Sequence, residues 1–176
     1  MQLLNIAQAT PVHIWALLAG LVALGLSQTR ARTIGAARAA VLPAGLAALS
    51  LAGVAGSFGG GGPALAAWLV GIVAALTATP RLLPAPQVRW SAALDFVHVA
   101  GSWLPLALIV GLFATRYAVG ASLAMHPELA SHTAFAVPVG VAYGLFSGVF
   151  ASRGLQMWRG RGSAARADTV TAWAAP

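Results

Sequence analysis

The sequence predicts an all-α integral membrane protein: a five-transmembrane-helix bundle, N-terminus out and C-terminus in, with a short interfacial segment between the third and fourth helices. Three observations carry that expectation. First, 59% of the 176 residues are hydrophobic and 7% charged, which is too little polar surface to cover a domain of this size in water. Second, the apolar residues fall in runs comparable in length to a hydrocarbon core. Third, all ten basic residues are arginine, and all except Arg116 lie on one side of the threading those runs imply, as juxtamembrane arginines retained in the cytoplasm would.

The first run, residues 11–28, opens with Pro11, His13 and Trp15 and meets no charge before Arg30. The residues ahead of it lack the basic region and small-residue cleavage site of a secretory signal, so the run is expected to be kept as a helix. Arg30, Arg32 and Arg38 make the following connection cytoplasmic. The second run, 39–58, has Pro43 near its start, where a missing amide donor costs little. Gly59 to Gly62 then stop it, and Pro63 suits an early position of the third run, 64–80, the shortest.

From residue 80 to 100, prolines mix with Arg81, Arg89, Asp95 and His98. This reads as a cytoplasmic interfacial segment. The β-branched and aromatic residues at 88–90 and 96–99 favour a small hairpin, and an amphipathic helix over 92–99 is the alternative. The fourth run, 102–125, contains Arg116, and the fifth, 134–158, contains Pro138 and Tyr143. Residues 1–160 thus form a single transmembrane domain, and 161–176 a flexible cytoplasmic tail. Trp15 and Trp68 are expected near the outer interface, and Trp90, Trp103 and Trp158 near the inner one.

Several landmarks go together: Pro11 and Trp15; Gly101, Ser102, Trp103, Leu104 and Pro105; Arg116 and Tyr117 with Gly120; and Tyr143, Gly144, Ser147 and Gly148. On these the chain resembles, over nearly its whole length, an uncharacterised family of small bacterial multi-pass inner-membrane proteins of about 170 residues. It departs from the family pattern at Ala100, where a proline is expected. The resemblance implies a location in the bacterial inner membrane and carries no biochemical activity.

Arg116 stands out among the residues that can carry function. About 13 residues beyond Trp103, it lies a few ångströms past the midplane at about 1.5 Å per residue. A guanidinium there faces a bundle interior, a hydrated cavity or a partner. No acidic residue sits at its depth, so Tyr143, Ser147, Ser122, backbone carbonyls, lipid phosphate or water are its available partners. Arg116, Tyr117, Tyr143 and Ser147 therefore form the candidate polar intramembrane site, for binding or permeation of a small solute or anion. The competing reading is a structural or accessory membrane subunit.

His13, His126, His132 and Glu128 gather near the predicted outer face as weak metal candidates, or as ligands of a haem- or metal-binding redox subunit, a minor alternative. His98 is close to Asp95 and reads as a surface hydrogen bond. With no cysteine, disulfides and thiolate metal sites are excluded. No nucleotide, phosphate-loop or hydrolase motif is present, so enzyme activity and cofactors are not expected. Gly140, Gly144 and Gly148 recur every four residues, a helix-packing stripe that lets backbones approach in lipid; Ala40, Ala44, Ala48, Ala52 and Gly56 repeat likewise. Membrane lipids are the expected partners, with a second copy or another membrane protein as a further contact. The arginines beside apolar runs point to lipid head groups and not to nucleic acid.

Overall fold

The computed structural model describes residues 12–59, 62–91 and 96–173. In chain order they form α1 (Val12–Ser27), β1 (Arg32–Gly35), α2 (Ala36–Phe58), α3 (Gly62–Leu82), β2 (Val88–Ser91), β3 (Phe96–Val99), α4 (Leu104–Met125), a 3-10 turn (Pro127–Ser131) and α5 (Thr133–Trp173).

Among the described residues five helices are present, but the expected five membrane spans are not. Among the described residues, three helical segments are long and apolar enough to cross a membrane: α3, α4 and the stretch Thr133–Arg159 of α5. The correction comes from length. α1 has 16 residues, and among the described residues the apolar stretch of α2 is Pro43–Phe58. At about 1.5 Å per residue such pieces reach roughly 24 Å, short of a hydrocarbon core of about 30 Å.

Small residues explain how the helices assemble. α5 is the central element: α3 lies along it most extensively, α2 packs beside it, and α1 rests on α4. A Cβ on Gly144 would collide with the Trp68 carbonyl oxygen, one on Gly140 with the Ala64 carbonyl oxygen, and one on Gly148 would lie 2.6 Å from the Ala75 Cβ. α3 presents a matching surface, burying Ala64, Ala67, Gly71, Ala75 and Thr79. A Cβ on Gly71 would come 2.5 Å from the Val141 carbonyl oxygen. In lipid, where apolar side chains gain little by leaving the solvent, this backbone-level approach supplies dispersion contact.

Around that seam, Leu46 and Val54 of α2, Ile109 and Leu112 of α4, and Tyr143 and Phe150 of α5 close the apolar core. The opposite face of α3 leaves Leu69, Val70 and Val73 more than half exposed, a surface that suits lipid and not water. On α2 the buried positions are Leu46, Ser50, Gly53 and Val54, so the repeat of Ala44, Ala48 and Ala52 lies on its outer side. α2 ends at Gly59, whose φ of 63° is left-handed and whose amide donates to the Ala55 carbonyl, a turn for which glycine carries no Cβ penalty.

The helices are joined at one end of the bundle by a small antiparallel sheet of order β1-β3-β2. β2 pairs with β3, Val88 opposite Val99, so residues 88–99 contain paired strands where an amphipathic helix was the alternative. β1 adds Arg32 opposite Val99 on the other side, so the first arginine-rich connection is not a plain loop. His98 of the central strand shares a hydrogen bond with the Thr33 hydroxyl at 2.9 Å; Asp95, its expected neighbour, lies outside the described residues. A second difference is at the C-terminus. α5 continues as helix to Trp173 through residues expected to be a flexible tail.

Substituting Gly144 with leucine is expected to lower stability in detergent by about 3 kcal/mol or more, since the collision is with backbone and neither helix can yield locally. Leu145→Ala, on the exposed side of the same turn, is expected to change it by about 0.5 kcal/mol or less. Equal losses in thermal unfolding of the two variants would mean that the seam does not hold the fold together.

Candidate functional site

Arg116 sits in the second half of α4, and its guanidinium reaches across to α2. There Nη1 donates to the Leu49 carbonyl oxygen at 3.4 Å, at the long limit of a useful hydrogen bond. Gly53 makes the approach possible: a Cβ at that position would be 2.8 Å from Arg116 Nη1 and 3.5 Å from Tyr143 Cζ. Arg116 and Tyr143 therefore meet over the same glycine, although Arg116 itself stays exposed and Tyr143 is buried. Among the described residues, no carboxylate pairs with the guanidinium.

The other members of the predicted site divide. Ser147, one turn beyond Tyr143, is buried, and both hydroxyls lack a hydrogen-bond partner among the described residues. Tyr117 instead stacks on Phe113 along α4, ring centroids 6.4 Å apart. Ser122 is satisfied within its own helix by the Ala118 carbonyl.

Beside this group lies a buried relay that the sequence did not single out. Trp68 Nε1 donates to Ser50 Oγ at 2.9 Å, and Ser50 Oγ donates to the Tyr143 carbonyl oxygen at 3.0 Å. The relay ties α3, α2 and α5 together and turns Trp68 inward, away from the interfacial role expected of it. Its only sequence signal is a serine on the buried side of an alanine-rich helix.

At the end of the bundle carrying the 3-10 turn, His126 Nδ1 and Glu128 Oε1 are 3.2 Å apart, both largely exposed. His132 is exposed as well, and the side chain of His13 lies outside the described set. Among the described residues no three potential ligands come together at one point.

The opposite end holds a cavity of about 480 Å³ lined by Gln28, Arg30, Arg32 and Arg153 together with backbone and apolar side chains. It forms where the end of α1, β1, the link from α3 to β2 and the start of α4 meet α5. The Ser102 amide donates to the Gln28 carbonyl and the Ala100 amide to the Gln87 carbonyl, both at 3.0 Å. Gly101 lies so close to the Thr29 carbonyl that no side chain fits between them. Arg153 is buried and donates to the Pro84 carbonyl at 3.3 Å. Desolvation pulls the Arg32 guanidinium below its ordinary pKa, a change that leaves a guanidinium charged at neutral pH. Sequence reasoning missed this cavity because Arg153 lies more than a hundred residues from Arg30 and Arg32.

Several long apolar helices, each with at most a few charges, fit a small multi-pass membrane protein. Residues 1–168 match the family described as a family of unknown function (DUF6622), and the chain belongs to that family. No curated protein and no solved structure matches it.

Ser50→Ala leaves Trp68 Nε1 without its acceptor and is expected to cost about 1–3 kcal/mol, whereas removing both partners in Ser50→Ala with Trp68→Phe should cost less than the two single changes together. A double-mutant cycle on unfolding in detergent measures the difference. Strict additivity would show that the relay contributes nothing.

Proposed function

We propose that the protein is a non-enzymatic component of the bacterial inner membrane that binds a small anion or polar solute, or lets one pass, at Arg116. The observation that carries this reading is the state of the guanidinium: within an apolar helix, it has one long hydrogen bond to a carbonyl and no carboxylate against it among the described residues. Placing arginine at such a depth costs about 2.5–3.5 kcal/mol on insertion scales, and residues that persist there commonly line solute or ion paths. The hydroxyls of Tyr143 and Ser147, without hydrogen-bond partners among the described residues, add donors on the neighbouring helix. Donors without acceptors call for an acceptor, and an anion supplies one. The uneven spread of arginine between the two ends and the family resemblance support the bacterial inner membrane as the location.

One observation favours a second reading, an accessory subunit. Little of the α4 span is buried within the chain, so a second copy or another membrane protein can cover the Arg116 side. The Leu49 contact would then be a tie between α4 and α2.

Titrating chloride, phosphate and small carboxylates against the purified protein separates the two. Anion binding predicts a saturable rise in the unfolding temperature, growing with the logarithm of occupancy, together with anion flux in liposomes. Arg116→Leu should abolish the flux and the chloride and carboxylate shifts while remaining folded, and Arg116→Lys, which keeps the charge and loses the planar donor fork, should fall between. Absence of any saturable shift or flux in the parent would leave the accessory role.

A further inference from the structure

The cavity at the sheet end differs chemically from the surroundings of Arg116. Arg30, Arg32 and Arg153 line it, and among the described residues no carboxylate does. Gathering three guanidinium groups around one space is unfavourable unless an anion occupies it, because like charges repel and two of them, Arg32 and Arg153, are partly or wholly removed from water. Gln28 gives an independent sign. The residue is 8% exposed and its Nε2 is buried with no hydrogen-bond partner among the described residues, although it belongs to the cavity wall. A buried amide donor left without an acceptor costs about 1–3 kcal/mol, and an oxygen-rich anion in the cavity would receive it.

The remaining wall fits the same occupant. α4 starts there, with Leu104 and Pro105 in the lining, so the positive end of a 22-residue helix faces the space. The Arg153 guanidinium uses Nη1 on the Pro84 carbonyl and has further N–H donors in a planar fork that matches a phosphoryl group. A volume of about 480 Å³ falls in the range of small-molecule sites, larger than a bare inorganic anion fills. Leu83, Leu104 and Met157 supply apolar lining beside the arginines, suited to a substituent carried by the phosphoryl group.

We infer that this cavity is a binding site for a phosphoryl group, held by Arg30, Arg32, Arg153 and the Gln28 amide, and supplied either by free phosphate or by the head group of an anionic phospholipid. It is a separate site from Arg116 and stands independently of the function proposed for that residue.

The test uses the full chain purified in detergent, with inorganic phosphate in one arm and phosphatidylglycerol in mixed micelles in the other; chloride at matched ionic strength and phosphatidylcholine are the references. The readout is the unfolding temperature against ligand concentration. A saturable rise with inorganic phosphate identifies the free anion, a rise confined to phosphatidylglycerol identifies the head group, and a rise with both shows that the phosphoryl group suffices. Arg153→Gln and Arg30→Gln should each weaken the apparent affinity by about tenfold or more, the loss expected for a charge-assisted contact. Arg30 is exposed, so its variant keeps the test valid if the buried Arg153 variant fails to fold. Every arm is run in the Arg116→Leu background, which removes any anion binding at that residue; Arg81, whose guanidinium donates to the Thr77 carbonyl on its own helix, serves as the control, and Arg81→Gln should leave the remaining response intact. No saturable rise in either arm, a rise reproduced by the references, or one equally strong in Arg30→Gln and Arg81→Gln would overturn the site. A rise seen in the parent chain but in no arm of the Arg116→Leu background would assign phosphate binding to Arg116 instead.

Discussion

Backbone-to-backbone contact between α3 and α5 is the constraint on which the rest of the molecule depends. With Gly140, Gly144 and Gly148 set against Ala64, Trp68, Gly71 and Ala75, the two longest-lying neighbours approach as closely as helices can. Lipid removes most of the hydrophobic drive that would hold larger side chains together in water, so contact area gained by close approach takes its place. Once α3 and α5 are fixed, Tyr143 is presented to α2, Ser50 can reach its carbonyl, and Trp68 can reach Ser50. At the far end of the same helix Arg153 is carried under Pro84. The two polar regions of the protein are therefore both positioned by one apolar seam.

Those polar regions follow a common rule: in an apolar environment donors are retained where acceptors can reach them. Ser50 and Trp68 satisfy each other within the chain. Arg116 is answered incompletely, by one carbonyl, and Gln28 Nε2 is not answered at all among the described residues. The unanswered donors, not the satisfied ones, are where an external acceptor has most to contribute, and in both regions the accompanying charge is positive.

Much of the helical organisation was legible in the sequence because apolar runs, prolines and glycine stops are local signals. The Gly59 stop and the strand-forming residues at 88–90 and 96–99 are of this kind. Counting spans was less secure, since an apolar run of 16 residues and one of 21 look alike by composition and differ in reach. β1 was not legible: its strand character depends on pairing with β3, more than sixty residues away. The glycine repeat on α5 can be read from spacing, but its partner, the Ala67, Gly71 and Ala75 face of α3, is hidden by the general abundance of alanine. Arg116 is conspicuous as a charge in an apolar run. The cavity arginines are not, because they lie at the ends of runs where topology alone accounts for them.

The seam can be measured without changing a residue. Solid-state NMR of the glycine-labelled protein in bilayers should show a through-space correlation between the α-carbons of Gly71 and Gly144, which lie in direct contact across α3 and α5. Mixing with an excess of unlabelled protein should leave the correlation at full strength per labelled molecule, because both glycines belong to one chain. A missing correlation, or one that fades on dilution, would contradict the account: in the first case α3 and α5 do not meet, and in the second the glycine stripe joins separate copies.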